Sequence, residues 1–126
     1  MDGAVNNVLV AEDDAISQIV ARKFLEALGC NVEMAGDGRE AIEMARKKTY
    51  DIVFMDARMP DMDGYEATAE IRRGETGGRV PIIAMTADAS PGAQEKCRAA
   101  GMDDYIAKPL DLAAMRALLE RWGKAQ

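Results

Sequence analysis

Four short polar stretches carry residue types that chemistry can use: Glu12-Asp13, Asp56, Thr86 and Lys108. Three carboxylates brought within a few ångström repel one another, and at least one then resists ionisation. A hard divalent cation resolves that conflict. Oxygen ligands in this number suit Mg2+, which takes one or two carboxylates and keeps several waters, and they admit Mn2+ as well. The charges of such a site balance, because three negative carboxylates meet a doubly charged cation and the Lys108 ammonium. A phosphoryl group could then approach without net repulsion, and phosphoryl transfer depends mainly on positioning and on neutralising the equatorial oxygens. The cation, Lys108 and the Thr86 hydroxyl would each take one of those oxygens, with Asp56 as the nucleophile. Each residue taken singly has a plainer explanation, as a helix cap, a solvated charge or a strand-end threonine. The coincidence of all of them at equivalent places carries the case.

Those places follow from the elements around them. Five apolar runs read as strands, and a helical pattern follows each. The first strand is Val8 to Ala11, and Asp14 then caps a helix in which Ile16, Ile19, Val20, Phe24 and Leu28 recur at helical spacing before Gly29. The second strand, Asn31 to Ala35, is weaker and expected at an edge. A helix from Arg39 to Lys48 follows it, with Ala41, Ile42 and Ala45 inward. The third, Ile52 to Met55, is apolar throughout, as in a strand covered on both faces. A helix from about Asp63 to Arg73 leads to a fourth strand, Pro81 to Met85. Ser90-Pro91 opens a fourth helix and Gly101 closes it. The fifth strand is Tyr105 to Ala107. Asp111 caps a last helix with Leu112, Met115, Leu118, Leu119 and Trp122 on one stripe.

Strict alternation of strand and helix predicts an α/β fold with a parallel sheet between two layers of helices. Ligands in such sheets bind beyond the carboxyl ends of the strands. Glu12-Asp13, Asp56, Thr86 and Lys108 are the residues that leave strands one, three, four and five.

The 126 residues amount to one domain, read as a single unit over 1–126. The net charge of −6 argues against direct binding to nucleic acid phosphates. No apolar run is long enough to span a membrane and no basic leader opens the chain, so a cytoplasmic location without membrane insertion is expected. Cys30 and Cys97 match no metal or redox spacing and read as buried thiols. The chain contains no histidine, so any phosphohistidine must come from a partner.

The runs Val8-Leu-Val-Ala-Glu-Asp-Asp, Phe54-Met-Asp-Ala-Arg-Met-Pro-Asp-Met-Asp-Gly64, Met85-Thr-Ala87 and Asp104-Tyr-Ile-Ala-Lys-Pro109 resemble the four motif blocks of the receiver domains of two-component signalling. The resemblance covers roughly Asn7 to Trp122. It implies a flavodoxin-like three-layer α/β/α sandwich with strand order 2-1-3-4-5, Glu12 and Asp13 as the acidic pair, and Asp56 as phosphoacceptor. It also implies the Arg58 carbonyl as a further metal ligand, Thr86 as switch hydroxyl, Tyr105 as the rotating aromatic, Lys108 as the phosphate-binding cation, and a cis Lys108–Pro109 peptide. A receiver catalyses its own phosphorylation and dephosphorylation and is no free-standing enzyme. Its partners would be a sensor histidine kinase or a histidine phosphotransfer protein, with the chain a monomer or a weak phosphorylation-dependent dimer. Ala15-Ile-Ser-Gln-Ile-Val-Ala21 and Asp63-Gly-Tyr-Glu-Ala-Thr68 are similar to receivers attached to hybrid sensor kinases. The acidic pair departs from the commonest Asp-Asp, and Glu12 favours a water between itself and the ion. Arg58 and Asp88 stand two residues beyond Asp56 and Thr86, where they are expected to pair across the pocket mouth and slow attack of water on the acyl phosphate.

Two other readings use the same residues. Gly36-Asp-Gly38-Arg-Glu-Ala41 fits a dinucleotide-binding turn, although Asp37 and Glu40 place negative charge where a pyrophosphate would lie. A metal-dependent phosphohydrolase would share the aspartyl nucleophile, but such enzymes resemble a pattern with a second Asp where this chain has Arg58, which leaves no general acid.

Overall fold

The computed structural model describes residues 5–124. Each expected strand–helix pair is present. The elements are β1 (Asn7–Ala11), α1 (Ala15–Ala27), β2 (Asn31–Ala35), α2 (Gly38–Lys47), β3 (Ile52–Asp56), α3 (Gly64–Gly74), β4 (Ile82–Thr86), α4 (Pro91–Ala100), β5 (Asp104–Ala107) and α5 (Leu112–Trp122). The strands form one parallel sheet in the order β2-β1-β3-β4-β5. Pro81 lies outside β4, yet its carbonyl accepts the Val53 N–H at 2.9 Å, so the ladder continues one residue past the strand.

Alternation along the strands divides the core between the two faces. Leu9, Val53, Met55, Ile82 and Ala84 meet α2, α3 and α4. Val8, Val10, Phe54, Ile83 and Met85 meet α1 and α5. Every residue of β3 and β4 is buried, which explains their unbroken apolar sequence. Helix starts are set by local chemistry. The Asp14, Asp37, Asp63, Ser90 and Asp111 side chains each accept a backbone N–H three residues on, a cap worth about 1 kcal/mol. Gly29 and Gly101 follow α1 and α4 at φ 84° and 104°, where a side chain would be strained.

Helix α1 departs from the expected packing. Ala21 and Leu25 are its buried residues, whereas Ile16 is 72% exposed and Ile19 54%. Phe24 and Leu28 pack beside Ala21 and Leu25 on the core, and the two isoleucines are turned outward. Trp122 adds a polar contact to the apolar stripe of α5, donating its indole N–H to Asp104 at 2.9 Å. Cys30 and Cys97 are free and buried, as expected.

Candidate functional site

The strand register brings the polar residues to one rim. Ala11 lies opposite Met55, so Glu12 and Asp56 leave their strands level with each other. Asp56 faces Met85 and Thr86 faces Ala107, which puts Thr86 and Lys108 at the same edge. Three backbone bonds hold the strand ends in place: Glu12 N–H to the Ala35 carbonyl, Ala57 N–H to the Met85 carbonyl and Lys108 N–H to the Thr86 carbonyl.

Glu12 is 1% exposed and Asp56 5%, while Asp13 is open to solvent. One carboxylate oxygen from each can lie within 4.8 Å of the others, a spacing that fits shared ligation of one cation. Lys108 Nζ bridges the two buried carboxylates, at 3.0 Å from Glu12 Oε1 and 3.3 Å from Asp56 Oδ2. Asp56 Oδ1 accepts the Arg58 N–H at 3.1 Å, and Glu12 Oε2 accepts the Asp14 N–H at 3.1 Å. Burial pushes the Glu12 carboxyl above the ordinary glutamate range and the neighbouring Asp56 adds to that push, against the Asp14 N–H and the Lys108 ammonium. Burial alone would lower the Lys108 ammonium. Its bond to Glu12 and the charge of Asp56 outweigh that and hold it above the ordinary lysine value. The site therefore keeps its cation charged and carries more negative charge than one ammonium can balance.

The Thr86 hydroxyl is buried and engaged with its own loop, donating to the Asp88 carbonyl and accepting the Asp88 N–H, both at 3.0 Å. Asp56, Arg58, Thr86, Asp88 and Lys108 line an open pocket of about 310 Å3. Tyr105 lies half-buried against the face of the sheet covered by α4. A space of about 100 Å3 beside Tyr105 is lined by Gln94 and Cys97 of α4. The Lys108–Pro109 peptide is cis.

Arg58 and Asp88 share the pocket mouth but form no ion pair among the described residues. The Asp88 carboxylate is taken by the Ser90 N–H at 2.9 Å, and that bond holds its pKa below the usual range, with a smaller contribution from Arg58. The Gly36–Ala41 turn offers no anion site either. Asp37 accepts the Glu40 N–H and Glu40 accepts the Gly36 N–H, so its own acids occupy the donors that a pyrophosphate would need.

Two contributors were not singled out from sequence. A Cβ at Gly64 would lie 2.1 Å from the Asp56 carbonyl, so only glycine lets α3 start this close to the nucleophile's backbone. Its place one residue after the Asp63 cap was the available signal. Gln18 Nε2 donates to the Glu12 carbonyl at 2.6 Å and ties α1 to the acidic loop. No sequence pattern marks that bond.

Residues 8–120 match the model of the response regulator receiver domain. The chain belongs to the receiver domain family. This receiver domain is 45% identical to the receiver domain of a sensor histidine kinase from Pseudomonas aeruginosa PAO1, over 94% of this chain and 98% of that one, with a TM-score of 0.86; that structure has a magnesium ion coordinated in its active-site cleft. It also superposes, at TM-score 0.87 and 28% identity over 98% of this chain and 92% of that one, on a Saccharomyces cerevisiae co-crystal of the histidine phosphotransfer protein Ypd1 with the receiver domain of Ssk1. Among curated proteins it is 40% identical to the hybrid signal transduction histidine kinase G of Dictyostelium discoideum, over 92% of this chain and 4% of that protein. The first curated relatives are hybrid or probable histidine kinases, of whose length the chain spans between 4% and 15%. The receiver fold, its parallel order 2-1-3-4-5 and its place in two-component signalling thus agree with the sequence reading. No helix among the described residues is long and apolar enough to cross a membrane.

Proposed function

We propose that this receiver domain, one unit over its whole length, takes a phosphoryl group from the phosphohistidine of a partner onto Asp56. A carboxylate oxygen of Asp56 attacks phosphorus, the bond from phosphorus to the partner's imidazole nitrogen breaks, and its electron pair stays on that nitrogen. The single observation that carries this reading is Lys108, held at 3.0 and 3.3 Å from two buried carboxylates at the rim where Thr86 also ends its strand. Mg2+ would be held by Glu12, Asp13, Asp56 and the Arg58 carbonyl, and when bound it supplies charge neutralisation at a phosphoryl oxygen; Mn2+ has the same donor preference. Lys108 neutralises a second oxygen. The Thr86 hydroxyl reaches a third only by releasing Asp88. That release frees the β4–α4 loop, and Tyr105 has the adjoining space to turn into.

The donor must cover the pocket mouth. An apolar groove of about 360 Å3 adjoins it, lined by Ile16, Val20, Pro109 and Leu110 and sharing Lys108 with the phosphoryl pocket. A histidine phosphotransfer protein that presents its histidine amid apolar helix residues fits that surface. A cytoplasmic setting within or beside a hybrid sensor kinase accords with these partners.

Incubation with acetyl phosphate and Mg2+ is expected to add one phosphoryl mass, lost in Asp56→Ala and without added metal. No mass gain in the wild-type chain would overturn the reading. Sustained release of phosphate from a small phosphoester would favour the phosphohydrolase instead.

A further inference from the structure

Helix α4 is held very differently at its two ends. Cys97 is its one buried residue, so apolar packing contributes little along its length. At the C-terminal end, the Gly101 carbonyl accepts the part-buried Arg72 Nε at 2.9 Å and the more exposed Arg79 Nη2 at 3.2 Å. The Arg72 guanidinium also donates to the Val80 carbonyl at 2.7 Å, to Asp103 Oδ2 at 2.8 Å and to Glu75. Asp103 in turn accepts the Ile82 N–H at 2.9 Å and is paired with Arg79. Arg72, only 13% exposed at its side chain, therefore joins the end of α3, the approach to β4, the end of α4 and the approach to β5. Gly101 sits directly against the stem of Arg72, where an added Cβ would come within 3.1 Å of Cγ.

The N-terminal end has no comparable anchor. Ser90 caps the helix and bonds Asp88, and Gln94 Nε2 donates to the Ala89 carbonyl; all of these partners lie within the β4–α4 segment. Links of the helix toward α3 include Lys96 over the ring of Tyr65 at 4.5 Å and the packing of Cys97 in the core cluster that Tyr65 borders. On α3, Tyr65, Thr68 and Arg72 fall on one stripe, and the buried Thr68 hydroxyl between the other two has no partner.

We propose that Arg72 is the pivot of α4. It fixes the C-terminal end at Gly101 and Asp103, so that any displacement begun at the β4–α4 loop swings the N-terminal end while the entry to β5 stays in place. The source of that displacement rests on the proposed phosphorylation of Asp56, but the pivot is a property of the unmodified chain and can be tested without it.

Backbone hydrogen exchange of the whole chain, with no phosphoryl donor, provides the test. Amides of residues 94–97 should exchange at least about tenfold faster than those of residues 100–103. Arg72→Met should erase that gradient by accelerating 100–103, while amides of β1 and β3 keep their order of protection. Arg72→Lys, which keeps the charge but loses the forked donors, should fall between the two. A flat profile in the wild-type chain, a gradient that survives in Arg72→Met, or an undiminished gradient in Arg72→Lys, overturns the pivot. If Arg72→Met does not fold, the wild-type profile and Arg72→Lys still decide. A second arm adds acetyl phosphate and Mg2+, and the exchange changes should stop before Gly101 in the wild-type chain and spread past it in Arg72→Lys. Failure of the wild-type chain to take a phosphoryl group would count against the proposed function alone, since the first arm judges the pivot independently.

Discussion

Two charged clusters at opposite ends of this sheet use their side chains in opposite ways. At the carboxyl rim, Glu12, Asp13 and Asp56 share one ammonium, Lys108. At the opposite rim, Glu75 and Asp103 are met by Arg72 and Arg79, and backbone N–H groups of Val80 and Ile82 complete the set. The second cluster is balanced and serves to tie four segments together. The first has more carboxylates than cationic partners within the protein, which fits the proposed binding of a divalent cation ahead of phosphoryl transfer. A partly buried group that the fold does not satisfy is a better sign of function than a charged cluster as such.

Breaking the balanced rim is expected to have the largest effect on stability. Asp103→Ala, which leaves Arg72 and the Ile82 N–H short of a partner, should cost about 3 kcal/mol in urea unfolding. Phosphoryl uptake at Asp56 in the folded fraction should change far less. The unbalanced rim should respond to metal instead. At a hundredfold excess over its dissociation constant, Mg2+ should stabilise the wild-type chain by about 2.7 kcal/mol, and thermal melts of Asp13→Asn should show a clearly smaller gain. A substitution between the two rims sharpens the contrast. Thr68→Val replaces a buried hydroxyl that has no partner and should raise stability by about 1 kcal/mol, whereas truncating a bonded polar group lowers it.

The smallest effect concerns pH. Lys48 and Tyr50 hold the Glu33 carboxyl below its ordinary value of 4.5. Stability from that cluster is therefore present above pH 4.5 and lost as the pH falls through the lowered pKa, because the unfolded chain binds the proton first. Melting temperatures measured from pH 6 downward should fall less steeply in Glu33→Gln. An equal slope would mean that the edge cluster contributes nothing.

Order and type of all ten elements were legible in sequence, because the apolar runs, the capping acids and the closing glycines are local signals. The candidate site was legible for a related reason. Once strands alternate with helices, the residues leaving each strand must gather at one rim, and Glu12, Asp13, Asp56, Thr86 and Lys108 do so. The orientation of α1 was not legible. Phe24 and Leu28 of the expected stripe do pack on the core, but Ile16 and Ile19 face solvent and Ala21 and Leu25 are buried instead. The partner of Asp88 was equally hidden: its carboxylate accepts the Ser90 N–H, and it forms no ion pair with Arg58 among the described residues.

Sequence by itself thus determined the layered α/β fold, the rim at which Glu12, Asp13, Asp56, Thr86 and Lys108 gather, and the absence of histidine from these 126 residues. Tertiary structure alone decided which face of α1 stays open beside the pocket, that Lys108 bridges Glu12 and Asp56, and that Arg72 ties the far end of α4. Periodicity and capping act between residues a few positions apart, so a single chain displays them directly. Contacts such as Lys108 to Glu12 join residues 96 positions apart, and the packing of whole elements sets their geometry.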